Sequence, residues 1–305
     1  MKLLAAFVMR GRWSAAIAAS VTAMSFWLFP PLLIVSGAVV ALITLRRGAL
    51  EGALIMMLAG MAAAGLSWQV LGALWPMLDV LLITWVPVWL LALVLRATIS
   101  LSRAVQVAAL LGLLGVAGFY LVLGDPAVWW SALLGNFQAQ LAGLAPSVPA
   151  GDRALLEQWL ELLREWAPWL PGQAAGTALL VVLMALLLGR WWQALLFNPG
   201  GFRPEFHELR LGQPLAMFAL MLLGATLLSN WLPLANGLLV LGMPYTVQGV
   251  ALVHAVVFKR RLSPAWLVLF YLLLIPLLSQ LVMVLGVVDA WIDFRSRIRS
   301  QPDSR

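Results

Sequence analysis

Residues 172–197 read GQAAGTALLVVLMALLLGRWWQALLF. From Gly172 to Gly189 the run carries no charge, and Arg190 is followed at once by Trp191 and Trp192. A helix needs about 20 largely apolar residues to cross the hydrocarbon of a bilayer. Arg and Trp together are what such a helix presents where it meets the headgroups. The stretch predicts a membrane span, and runs like it recur along the whole chain.

Composition agrees. Of the 305 residues 63% are hydrophobic and only 10% are charged, and the mean hydropathy is +0.99. An average soluble domain carries roughly 25% charged residues, because its surface has to be covered. The balance excludes a soluble enzyme, a disordered chain, a coiled coil and a disulfide scaffold. What remains is an all-α polytopic membrane protein. Cysteine is absent, which excludes disulfides, thiol catalysis and cysteine-ligated metal. The N-terminal run Leu3 to Met9 is too short for a cleavable leader and is followed by Arg10 and Arg12.

Working outward from 172–197 gives the other segments. Trp13 to Phe29 is a first span, ended by Pro30 and Pro31, since proline lacks the amide donor and clashes with the preceding turn. Pro31 to Leu45 follows as a short helix, a partial or tilted span. Gly48 to Leu74, Leu78 to Leu95 and Ala104 to Leu123 come next. Beyond Phe197 lie Gln213 to Leu234, Ala235 to Phe258, and Ser263 to Val288 with Pro276 inside. The expectation is a bundle of about eight or nine transmembrane helices. Its parts are membrane helices 1–123, a periplasmic loop 124–171, membrane helices 172–288 and a polar tail 289–305.

The chain has 17 Arg and 2 Lys against 12 acidic residues. Arg10 and Arg12, Arg46 and Arg47, Arg96 and Arg103, and Lys259 to Arg261 all fall between apolar runs, as retained cytoplasmic loops do. The N-terminus is therefore expected in the cytoplasm, with the protein multi-pass in a bacterial inner membrane. No basic face is free of membrane segments, so nucleic acid is not an expected partner. Nine full crossings would leave Arg295, Arg297, Arg299 and Arg305 outside. Either the tail is translocated or one segment fails to cross, and the suspects are Pro31 to Leu45 and the segment holding Pro276.

The loop 124–171 has its own pattern. In Arg153 to Trp166, Leu155, Leu156, Trp159, Leu160, Leu162, Leu163 and Trp166 share one helical face opposite Glu157, Glu161, Arg164 and Glu165. Asp152 is a candidate cap and Pro168 a stop. Asp125 and Pro126 open a second amphipathic helix with Trp130, Leu133, Leu134, Phe137 and Leu141 on its apolar side. Such helices lie on the membrane surface, as a lid on the bundle or as a docking surface.

Motifs for chemistry are missing. No GxxxxGK[ST] occurs, and His207 and His254 belong to no HExxH-like ligand set. No catalytic residue, cofactor or metal site is expected, and the chain reads as a non-enzyme. Four polar residues of one span, Asn236, Tyr245, Gln248 and His254, could line a polar cavity, since each is costly in hydrocarbon. Equally, neighbouring helices could satisfy them as structural glue. Ala15 and Ala19, one turn apart, are a candidate helix contact. The most distinctive stretch is Asn198-Pro-Gly-Gly-Phe-Arg-Pro-Glu-Phe-His-Glu-Leu-Arg210. Asn198, Gly200, Gly201, Phe202, Arg203, Glu205, Phe206, His207, Glu208 and Arg210 form a candidate coupling element, or else a connecting turn with an interfacial helix. The tail repeats its acid–aromatic–Arg character in Asp289, Asp293 and Arg295.

The stretch from Asn198 to Leu211, the ending from Asp289 to Arg295, and the Leu28–Pro31 and Arg46–Gly48 pattern resemble the YybS-like bacterial membrane proteins of unknown function. Through about Leu123 the chain is also similar to substrate-binding subunits of energy-coupling-factor vitamin transporters, which have a proline-broken first hairpin. In those subunits small residues of the first helix contact a separate membrane subunit, and Ala15 and Ala19 are the matching positions. The segments after Gly172 depart from that six-helix plan. Two roles follow as expectations. One is a transport-related membrane subunit that binds a small-molecule substrate and is energised by partners. The other is a scaffold that recruits a cytoplasmic protein through Phe202 to Leu211 and the tail.

Overall fold

A computed structural model describes residues 1–144, 150–292 and 294–297. Ser147, Asp293, Arg299 and Arg305 lie outside the described residues, as do the side chains of Phe137, Leu141, Asp152, Arg153 and Leu156. The described residues form helices and turns, with no strand. In chain order the helices are α1 (Lys2–Met9), α2 (Arg12–Met24), α3 (Leu32–Arg47), α4 (Ala49–Leu71), α5 (Trp75–Thr98), α6 (Leu101–Leu123), α7 (Pro126–Leu144) and α8 (Ala150–Trp166). They continue as α9 (Leu170–Phe197), α10 (Phe202–His207), α11 (Gly212–Ser229), α12 (Leu232–Lys259), α13 (Ala265–Leu273), α14 (Ser279–Val288) and α15 (Phe294–Arg297).

Among the described residues seven helical stretches are long and apolar enough to cross a membrane. The helices α2 and α3, with 13 and 16 residues, fall short of that length. The chain divides into two compact units. The first holds Met1–Leu111, Thr177–Met217 and Gly242–Arg305, and the second Gly112–Gly176 and Phe218–Leu241.

In the first unit α3 is the buried centre. Leu33 and every residue from Ser36 to Leu45 are buried. Close approach of neighbours explains this. A Cβ on Gly37 would stand 2.8 Å from the Cβ of Ala185, and one on Gly189 would stand 2.6 Å from the Cβ of Ala41. Gly37 and Ala41 on α3 thus mesh with Ala185 and Gly189 on α9, small residues four apart on both helices. The few polar groups here are satisfied at short range. Ser36 donates to the Ala19 carbonyl at 2.8 Å and accepts from the Trp85 indole at 3.0 Å. Arg96 caps the last turn of α3 through the Leu45 carbonyl at 3.0 Å.

The ends of these helices share one set of contacts. Arg47 reaches the Met9 carbonyl at 2.8 Å, Arg12 pairs with Glu51, and the Arg46 guanidinium lies 4.2 Å from the ring centre of Phe197. One end of this unit therefore gathers the Arg-bearing ends of α2, α3 and α5 and the Phe197 end of α9.

The second unit has its own polar node. Asn236, fully buried, accepts from the Gly172 amide at 2.6 Å and donates to the Pro168 carbonyl at 2.8 Å and the Tyr120 hydroxyl at 2.9 Å. Asp125 caps α7 through the Ala127 amide at 2.8 Å. The helix α8 begins two residues before Asp152, so that residue sits in its first turn, not at its cap. It does end before Pro168. Trp130 donates to the Leu163 carbonyl at 2.9 Å and Leu160 is buried, but Leu155, Trp159, Leu162, Leu163 and Trp166 stay exposed. The described residues do not cover the apolar side of α8.

Candidate functional site

The site is built where α9 ends. Gly200, at φ +89, takes the left-handed conformation that lets the chain leave α9 and start the short α10. Phe202 and Phe206 stack at 5.6 Å on this helix. Glu205 points back to α9, where Arg190 grips both its oxygens, one of them at 2.9 Å. Arg190 also donates to Gln193 at 2.7 Å. The pair is partly buried, so α10 is pinned to α9 by a fork-shaped contact. Sequence reading placed Arg190 at a membrane edge and did not see this partner.

From Glu208 to Leu211 the backbone is not helical, yet Leu209 and Leu211 are fully buried. Irregular backbone at such a place has to be satisfied by other protein groups. Here the partners are side chains. Ser102 accepts from the Arg210 amide at 3.0 Å, and Gln106 donates to the Leu211 carbonyl at 2.8 Å. Gln248 accepts from the Leu211 amide at 2.8 Å. Arg295 donates to the His207 carbonyl at 2.7 Å and to the Leu209 carbonyl at 3.0 Å.

The same side chains close a ring. Gln248 donates to the Gly286 carbonyl and to Asp289, both at 2.9 Å, and Arg295 pairs with Asp289. Both members of the ion pair are buried, and Lys259 holds the Arg295 carbonyl at 2.7 Å. Hence the coupling element and the tail, read apart in the sequence, are one structure.

This ring fixes the course of the last apolar segment. Tyr271 meets His254 at 2.8 Å, while Asp289 meets Gln248. Between them a Cβ on Gly242 would stand 2.8 Å from the Met283 sulfur, so the segment runs alongside α12 past Gly249 before Asp289 comes back to Gln248. Leu274–Leu278 on the way is a π-helical turn around Pro276. The tail returns to Lys259, the end of α12 from which α13 sets out.

A cavity of about 810 Å³ opens beside the ring. One wall is a face of α9, including Leu180, Met184, Leu187, Leu188, Trp191 and Leu195. Phe202, Arg203, Phe206 and His207 close one end, and Thr246, Val250, His254, Tyr271 and Ile275 form the far wall. A second cavity of about 380 Å³ shares Arg203, His207 and His254 and adds Phe258 and Arg261. The Arg203 guanidinium stands 5.0 Å from the Phe258 ring centre, and the His207 ring 5.4 Å from it. Desolvation, helped by the charges of His254, Arg203 and Arg295, pushes the His207 imidazole down to about 4.

Of the four polar residues of α12 expected at a polar cavity, Asn236, Tyr245 and Gln248 are buried, and Asn236 and Gln248 are spent on neighbouring groups. His254 alone of the four lines the larger cavity. Pro244 does not break α12, which runs unbroken from Leu232 to Lys259. Asn198 sits under Gly201, where its side chain fills the space a Cβ would need. Glu208 is exposed. Ala15 and Ala19 are fully buried inside the chain. They are therefore closed to the outside contact that the transporter resemblance implied, and the exposed stripe on α2 is Trp13, Ile17 and Val21.

Residues 153–290 match a family model described as "Predicted membrane protein (DUF2232)". The match takes in α9 to α14, and with them both walls of the cavity. No curated protein and no solved structure matches the chain.

Proposed function

We propose that this chain is a binding subunit of a membrane transport system, not an enzyme, and that its substrate is a largely apolar small molecule held between α9, α10, α12 and α13. The observation that carries this reading is the cavity of about 810 Å³, within the 300–1,000 Å³ usual for small-molecule sites. Its polar side chains, chiefly Arg203, His207, Thr246, His254 and Tyr271, are few against an apolar wall. The scaffold reading has less support, because Leu209 and Leu211, needed for recruitment, are buried against the chain itself.

In this proposal the family is the YybS-like one, and the membrane is the bacterial inner membrane. Six of the seven long apolar stretches, α4 to α6, α9, α11 and α12, joined by the shorter α2 and α3, would make eight crossings and leave the N-terminus, the Arg-bearing turns and the tail in the cytoplasm. The seventh long stretch, α13–α14, would enter and return without crossing, since the tail is held at Lys259. The gathering of Arg12, Arg46, Arg47 and Arg96 at one end of the first unit supports this arrangement. Energy for transport comes from a further subunit.

Extraction in a native-membrane polymer disc followed by mass spectrometry tests the binding role. One amphiphile should copurify near one copy per chain, and Met184→Trp with Val250→Trp, which fill the cavity, should remove it. The same lipids at the same amounts in both preparations would sink the reading. Single cysteines on this cysteine-free background test the topology, with Ser147 reacting from outside and a tail cysteine at Ser296 only after the membrane is broken.

A further inference from the structure

We propose that the ligand of this groove is an anionic lipid, its acyl chain along α9 and its phosphate on Arg203 and Arg261 beside His207 and His254. The inference rests on the reading of the cavity as a ligand site and names the chemistry of what fills it.

Length is the first argument. The α9 wall runs from Leu180 to Leu195, fifteen residues or about 22 Å of helix. One leaflet of hydrocarbon is roughly half of a 30 Å core. The groove is therefore long enough for a chain that enters at the surface and reaches past mid-leaflet. It is also open to such a chain, since Met184, Tyr271 and Ile275 in its walls are exposed, Ile275 by 85%. A compact polar metabolite would leave most of this wall unfilled.

Charge is the second. The two cavities share Arg203, His207 and His254, and the smaller adds Arg261, while among the described residues no carboxylate lines either one. The nearest acid on α10, Glu205, is already held by Arg190. Among the described residues that line the two cavities, Arg203 and Arg261 bring positive charge and none brings negative charge, and planar guanidinium donors suit phosphate oxygens.

Placement is the third. Basic residues scattered near a membrane attract anionic lipid without choosing a position. Here the position is built. Arg203 lies over Phe258, whose ring also meets His207, and Phe206 meets His254 edge-on at 5.6 Å. The cation is thus carried on an aromatic platform directly above the apolar groove.

The full chain, purified in a neutral detergent, should be titrated with phosphatidylglycerol, phosphatidylcholine and inorganic phosphate, with lipid adducts read by native mass spectrometry and unfolding by a thermal scan. Phosphatidylglycerol should bind at least tenfold more tightly than phosphatidylcholine. R203Q with R261Q should bring the two lipids to parity, while R203K with R261K should keep part of the preference. Thermal scans of both variants without lipid will show whether they fold. Parity in the native protein, or an undiminished preference in a folded R203Q/R261Q variant, would overturn the inference. So would inorganic phosphate that stabilises as well as the lipid does, since the site would then read a free anion. Met184→Trp separates the groove from the headgroup site. If it weakens both lipids equally while the native protein shows no headgroup preference, the groove stands and the anionic lipid falls. If it changes nothing, the groove reading falls as well.

Discussion

Two helices of the first unit, α3 and the latter half of α12, bury polar groups in opposite ways. Along α3 the hydroxyls of Ser36 and Thr44 are satisfied by carbonyls or a single indole, and the rest of the surface is small residues in close contact. Along α12 a single side chain, Gln248, joins two separate stretches of chain, at Leu211 and at the end of α14 through Gly286 and Asp289. The first arrangement leaves no room and specifies packing. The second holds non-helical backbone in place by hydrogen bonds, and so tolerates a cavity next to it. In lipid, where helices gain little from hiding apolar surface from water, both solutions work. Only the second leaves space for a ligand.

The comparison breaks most sharply at Arg295. Removing it leaves Asp289 buried without its counter-ion and frees the carbonyls of His207 and Leu209. A buried pair deprived of one partner costs about 3–5 kcal/mol. Arg295→Ala should therefore lower the unfolding temperature in detergent more than Gly189→Val, Glu205→Ala or His207→Gln does. Asp289→Leu together with Arg295→Met should recover part of the loss, because an apolar pair of similar size removes the stranded charge. If Arg295→Ala melts like the native protein, the ring is not what holds the tail.

A smaller effect, about 1–3 kcal/mol, is expected of overpacking the α3 seam. Gly189→Val would drive side-chain atoms into Ala41 and the Ala38 carbonyl, 2.9 Å from where the new Cβ would sit. The matched change on the same helix, Met184→Trp, enlarges a residue that faces the cavity. It should be neutral in a thermal scan or raise stability, although it enlarges its side chain as well. Equal losses from the two would erase the distinction between seam and groove.

Glu205→Ala tests the contact that pins α10. The pair with Arg190 is partly exposed, with 29% of the Glu205 side chain accessible, so its loss should cost only about 1 kcal/mol or less. Ligand retention should suffer more, since Arg203 and His207 share the helix that would be loosened.

The class of protein was legible because hydropathy acts residue by residue. So were the breaks at Pro30 and Pro168, because proline acts within a turn. Amphipathic periodicity found α8, although it does not tell an apolar side that the chain covers from one that leaves Trp159 and Trp166 exposed. The ring was not legible. Gln248 and Asn236 were grouped because they share a span, but they stand twelve residues apart, about 18 Å along α12, and serve different units. Periodicity reports neighbours three or four residues away, while Gln248 finds its partners 37 and 41 residues distant in sequence. Arg190 and Glu205 escaped notice for a related reason, as the turn at Gly200 that folds one onto the other leaves no periodic trace. The short α3 was suspected of not crossing because it lacks length. Its 16 residues fall short of a span, and the structure adds what length alone does not show, that most of them are buried by other helices.

The smallest expected effect concerns His207, which borders both the ring and the groove. Its imidazole lies about 6.4 Å from that of His254 and near Arg203 and Arg295, and desolvation with these charges pushes it down to about 4. In the unfolded chain it titrates near its ordinary value of 6.5. Above that value both states are neutral, and the group contributes no pH dependence. Between 6.5 and 4 the unfolded chain takes up a proton that the folded one refuses, so stability falls as pH falls through this window. The native protein should melt at a lower temperature at about pH 5 than at about pH 7.5. His207→Gln, which keeps a polar side chain but cannot titrate, should show a smaller difference between the two pH values. Carboxylates elsewhere contribute to both proteins alike, so the difference between the differences reports His207 together with its coupling to His254. A wholly unchanged pH response in the variant would mean that the folded imidazole is as free to ionise as in water. The His207 ring would then be better hydrated, and the charges of His254, Arg203 and Arg295 weaker at it, than its place beside the groove requires.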